Sequence, residues 1–103
     1  MPITLGRGTT PLYIISISGI DVSDISDVYI TFEQKGVKKI TKHFPEAYIE
    51  DDKFKIRLTQ EETLSFNAGT ANAQVRFITQ DDTAYKSDTF CLQVTDALYD
   101  EVI

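Results

Sequence analysis

Apolar and polar residues alternate one by one along much of this chain, and that period of two constrains its fold more than any other feature. Val28, Ile30 and Phe32 alternate with Tyr29, Thr31 and Glu33, and Phe54, Ile56 and Leu58 with Lys55 and Arg57. Ala73, Val75 and Phe77 alternate with Gln74 and Arg76, and Phe90, Leu92 and Val94 with Cys91 and Gln93. Successive strand side chains point to opposite faces, so each stretch has one dry and one wet face. Such strands bury their dry faces against one another in an antiparallel all-β domain with a single core.

Turn-forming residues mark the strand ends. Arg7-Gly8-Thr9-Thr10-Pro11 leads into a first strand, Leu12 to Ser18, closed by Gly19. Asp21, Ser23, Asp24, Ser26 and Asp27 compete for local backbone hydrogen bonds and favour turns. Val28 to Gln34 is the second strand, Lys35-Gly36 a tight hairpin turn, and Val37 to Phe44 the third strand, stopped by Pro45. Ala47 to Glu50 and Lys53 to Thr59 follow, joined at Asp51-Asp52. Thr59 with Glu62 fits a capping box, which predicts one helical turn, with Leu64 and Phe66 plugging the end of the domain. Thr70 to Thr79 is the sixth strand, and Gln80-Asp81-Asp82-Thr83 a hairpin loop. Ala84 to Val94 is the last strand, bulged near Lys86-Ser87-Asp88. About seven strands with one short helical turn predict a single immunoglobulin-like antiparallel β-sandwich over residues 1–103, residues 96–103 forming an acidic and apolar tail.

Composition narrows the function. The net charge of −6 opposes both phosphate backbones and anionic membrane surfaces, so neither nucleic acid nor membrane is an expected partner. The amino terminus has no charged start followed by an apolar run, so no secretory signal is expected. Cys91 is the only cysteine and cannot form an internal disulfide; alternation places it on the outward face of its strand.

Nothing in the chain groups catalytic residues. His43 is the only imidazole, no Gly-x-Ser-x-Gly elbow occurs, and Gly6-Arg7-Gly8 lacks the lysine and helix of a phosphate loop. The pairs Asp51-Asp52, Glu61-Glu62 and Asp81-Asp82 fit solvated turns better than a calcium loop. The chain is therefore expected to be no enzyme and to need no cofactor or metal.

Two features point to contact instead. Lys38, Lys42, Lys53, Lys55, Arg57 and Arg76 are assigned to wet strand faces, which predicts a locally positive sheet surface on an acidic protein. Such charges also protect strand edges from aggregation. Leu98, Tyr99, Val102 and Ile103 place four large apolar residues in the tail, where they either pack back on the domain or join a partner. The expected partner-binding residues are thus Lys38, Lys42, Lys55, Arg57, Arg76, Leu98, Tyr99, Val102 and Ile103.

Several segments carry a family resemblance. They are Arg7-Gly8-Thr9-Thr10-Pro11, Ile25-Ser26-Asp27-Val28-Tyr29-Ile30-Thr31-Phe32, Leu58-Thr59-Gln60-Glu61-Glu62-Thr63-Leu64, Ala73-Gln74-Val75-Arg76-Phe77 and Glu101-Val102-Ile103. In this order they resemble small proteins encoded in phages and prophages of Gram-positive bacteria. The chain is similar, more distantly, to the amino-terminal immunoglobulin-like domain of phage baseplate upper proteins. The resemblance implies a structural module of a tail or baseplate, found in the virion or the host bacterial cytoplasm. Its partners would be other phage tail proteins or further copies of itself. The alternative is a ligand- or glycan-binding sandwich that uses exposed tyrosines, Tyr29 foremost among Tyr13, Tyr29, Tyr48, Tyr85 and Tyr99.

Overall fold

The computed structural model describes residues 3–16, 19, 21–44 and 46–103, with the side chains of Lys38 and Lys39 excepted. Nine strands run through the described residues: β1 (Ile3–Gly6), β2 (Leu12–Ile15), β3 (Ile25–Gln34), β4 (Val37–His43), β5 (Ala47–Glu50), β6 (Lys53–Arg57), β7 (Gly69–Thr79), β8 (Ala84–Lys86) and β9 (Phe90–Thr95). One short helix, α1 (Gln60–Leu64), crosses between β6 and β7, and a 3₁₀ turn (Val22–Asp24) precedes β3.

Two tight turns fold neighbouring strands back on each other. Lys35 and Gly36 have φ of 54° and 76°, and Asp51 and Asp52 have 54° and 61°. Left-handed backbone at both central residues matches the twist of the flanking strands, so β3 pairs with β4 and β5 with β6. A larger sheet has the order β1-β9-β7-β3-β4, with β8 beside β7 where β9 has ended. A smaller sheet has the order β2-β6-β5.

Alternation predicts the interior. Val28, Ile30, Phe32, Val75, Phe77, Leu92 and Val94 from the larger sheet are buried, as are Phe54, Ile56 and Leu58 from the smaller side. Aromatic rings join the layers: Tyr13 lies 6.1 Å from Phe32 and Phe54 lies 6.0 Å from Phe77, centroid to centroid. Phe66 is fully buried 6.5 Å from Phe32 and plugs the end as expected, while Leu64 is only half-buried. Each such large apolar side chain contributes about 1.5–3 kcal/mol by leaving water. The result is an all-β, two-layer sandwich.

Three details differ from the sequence-based expectation. β1 was not anticipated, and it pairs with β9 in parallel, so the larger sheet is mixed rather than purely antiparallel. Ile3–Gly6 is too short to display a period, and its partner lies at the far end of the chain. The interruption expected near Lys86-Ser87-Asp88 is there, but it is a full break between β8 and β9 rather than a bulge, because Ser87 turns its hydroxyl into the gap. Ser87 Oγ accepts from Val75 N–H at 3.0 Å, and Ser87 N–H donates to Val75 C=O at 2.9 Å. β3 also begins three residues early, at Ile25, with a bulge between Ile25 and Asp27 that resets its register against β7. Ile17 and Ser18, expected to extend the first strand, and Pro45, expected to end the third, lie outside the described residues.

Candidate docking surface

Thr59 opens α1 with the predicted capping box: its hydroxyl accepts from Glu62 N–H, and Glu62 Oε1 accepts from Thr59 N–H at 2.8 Å. The same oxygen lies 2.7 Å from Lys42 Nζ, whose second carboxylate, Glu46, lies at 3.3 Å. Lys42 is buried rather than on the wet face. It shares the inward parity of Ile40 and sits opposite Ile30 on β3, so the strand period overrides the charge. Burial alone would lower its pKa, but the hydrogen bonds and charges of Glu62 and Glu46 outweigh that and raise it. For Glu62, burial would raise the pKa, and Lys42 with Thr59 N–H brings it below its ordinary value.

Next to this pair, Thr63 is fully buried and holds the opening loop. Its hydroxyl donates to Thr9 C=O at 2.9 Å and accepts from Gly8 N–H at 3.0 Å. Gly8 has φ of 79°, a conformation that other residues adopt only under strain. Arg7 donates to Leu64 C=O and pairs with Asp96, the first residue of the tail. That contact, with the N–H of Ala97, holds the Asp96 carboxyl below its usual range.

The tail is then caught a second time. Gln60 Oε1 accepts from Ile103 N–H at 2.9 Å, and Gln60 Nε2 donates to Ile103 C=O at 3.4 Å. Residues 96–103 are thus stapled at both ends to the helix side of the domain. Between the staples Leu98 is fully exposed and Tyr99 is 62% exposed, its hydroxyl donating to Glu101. Val102 and Ile103 are exposed as well. The tail lies along its own domain by backbone and polar contacts, with Val102 lining a groove beside Arg57 and Leu58 and with Leu98, Tyr99 and Ile103 facing outward.

A second surface lies on the outer face of the larger sheet. The registers of β4, β3, β7 and β8 place His43, Tyr29, Arg76 and Lys86 in one row, each directly opposite the next. Tyr29 and His43 stack with centroids 5.1 Å apart, and Tyr29 is 41% exposed. Thr31 and Thr41 share a hydrogen bond of 3.1 Å in the next row. Asp27, Tyr29, Thr31, Thr41, Arg76 and Ala84 border a shallow groove here.

The sequence-predicted basic stripe is divided by the topology. Arg76 is exposed on the larger sheet, whereas Lys55 and Arg57 lie on the outer face of the smaller one. Lys55 is committed to Glu50 at 2.7 Å and Asp51 at 3.7 Å, and Arg57 donates to Thr10 C=O at 2.8 Å. The side chain of Lys38 lies outside the described residues. So the stripe is not one positive surface, and Lys42 does not belong to it. Lys86, which completes the row, was missed because the break before β9 interrupts the period that would have revealed its face. Gln60 was missed too, since nothing local signals a clasp on residue 103.

Among the described residues no three His, Cys, Asp or Glu side chains come together to hold a metal ion, and His43 is engaged with a tyrosine ring. No described helix is long and apolar enough to cross a membrane. Cys91 is exposed, as alternation places it. No protein-family model, curated protein or solved structure matches this chain.

Proposed function

We propose that this chain is a non-enzymatic docking module, an immunoglobulin-like sandwich of a phage or prophage that serves at a tail or baseplate. Its place would be the virion or the host cytoplasm, and its partners other tail proteins or further copies of itself. One observation carries the docking part of this reading: a tail held at both ends that turns Leu98 and Tyr99 to solvent. An exposed apolar segment held at both ends has already lost much of the entropy that binding would cost it. The phage part rests on the resemblance of the segments described above.

Leu98→Ser with Tyr99→Ser tests the docking reading without touching either staple. Self-association or capture of purified tail proteins should weaken at least about tenfold, while the thermal unfolding midpoint stays unchanged. Unchanged binding would overturn the tail's role. Mass spectrometry of purified particles tests virion membership.

A second reading, ligand or glycan binding on the outer sheet face, is favoured by the exposed Tyr29 ring stacked on His43 beside the threonine hydroxyls. Sugars stack their apolar faces on such rings. Glycan-array binding abolished by Tyr29→Ala would select this reading over protein docking.

A further inference from the structure

Arg76 and Lys86 stand directly opposite each other on β7 and β8, both exposed. Like charges in that arrangement repel. Among the described residues, neither has a carboxylate within ion-pair distance, although the chain has 16 acidic residues against 10 basic ones. Asp27 borders the same groove, and its Oδ1 accepts from Val28 N–H. Four other basic groups are satisfied by their own chain, Arg7 by Asp96, Lys42 by Glu62, Lys55 by Glu50, and Arg57 by Thr10 C=O, while Lys35 and Lys53 are single exposed cations at turns of the chain. The sheet face therefore holds a cationic pair beside an aromatic platform, with Asp27 bordering the groove but outside ion-pair distance of either cation.

The tail is its complement. Asp100 and Glu101 are exposed beside the outward Leu98 and Tyr99. Four strands at about 4.8 Å spacing make a row of about 14 Å from His43 to Lys86. Leu98 to Glu101 bends at Leu98, Tyr99 and Glu101, so it spans less than the about 10 Å of an extended segment and fits within that row. We infer that the row His43–Tyr29–Arg76–Lys86 is the seat for the stapled tail of a second copy. Asp100 and Glu101 meet Arg76 and Lys86, and Leu98 and Tyr99 cover Tyr29. Tail and row are different patches, so the contact is head-to-tail and propagates unless two copies exchange tails reciprocally. This inference rests on the docking reading and names the partner of that surface.

Light scattering behind size-exclusion chromatography at low and high salt, up to about 1 mM protein, tests it. The wild-type chain should self-associate, more weakly at high salt because exposed charges are screened. Arg76→Glu with Lys86→Glu should weaken association at least about tenfold, as should Asp100→Lys with Glu101→Lys. Mixing these two charge-reversed proteins should restore a complex, since one supplies an acidic row and the other a basic tail. Circular dichroism confirms that each variant is folded. Wild-type protein that stays monomeric at low salt, or a mixture that does not reassociate, overturns the inference. If Leu98→Ser with Tyr99→Ser still abolishes capture of tail proteins in that case, the docking reading stands and only the self-contact falls. If that variant also has no effect, both fall.

Discussion

Lys42 and Arg76 both lie on strands of the larger sheet, yet their surroundings are opposite. Lys42 reaches from the inner face of β4 to Glu62 and Glu46 and is buried at the helix end of the sandwich. Arg76 stands on the outer face of β7 between a tyrosine and a lysine, with no ion pair among the described residues. At the helix end the polar groups of Thr9, Thr59, Glu62, Thr63 and Lys42 are tied to one another, so a charge there serves stability. On the sheet face the charge of Arg76 has no carboxylate within ion-pair distance among the described residues, which is why the proposed seat is placed there. The same residue class is structural in one place and available in the other, and neighbours rather than identity decide which.

The largest expected effect would break the structural side of this contrast. Glu62→Ala leaves a buried ammonium with only Glu46 and removes half of the capping box. It should cost about 3 kcal/mol in urea unfolding. A loss below about 1 kcal/mol would mean that Lys42 finds water instead, and the two regions would not differ as described.

Acid sharpens the same point. The folded pKa of Glu62 is depressed, so its contribution is fully present above its ordinary 4.5 and is lost as pH falls through the folded value. For Lys42, whose folded pKa is raised, the contribution is present below 10.5 and is lost as pH climbs through its folded value. Denaturant midpoints followed from about pH 7 to about pH 3 should fall less steeply for Glu62→Gln than for wild type. Parallel curves would show that the pair does not govern acid stability.

The smallest effect concerns the sheet face and has the opposite sign. Lys86→Glu turns a like-charged cross-strand pair into an attractive one and should stabilise the isolated domain by about 0.2–1 kcal/mol, an increment that shrinks with salt. A destabilised variant would show that Lys86 already has a structural role, and the contrast with Lys42 would collapse.

Much of the architecture was legible because it is written locally. The inward parity of Val28, Ile30 and Phe32, the turns at Lys35-Gly36 and Asp51-Asp52, and the cap at Thr59 with Glu62 each depend on residues close in sequence. Lys42 was misplaced because its charge suggested the wet face while its position beside Ile40 and opposite Ile30 put it on the dry one. β1 carried too few residues to show a pattern, and its parallel partner could not be inferred from any neighbour.

Period, turn chemistry and capping alone determined that this chain makes a two-layer β fold with one helical turn, since those signals act over two to four residues. Only the tertiary structure decided which cations are neutralised. It was also needed to show that Gln60 holds residue 103 and that Lys86 completes a row with Tyr29 and Arg76. Those relations join residues tens of positions apart, through strand register and side-chain reach that no local pattern encodes.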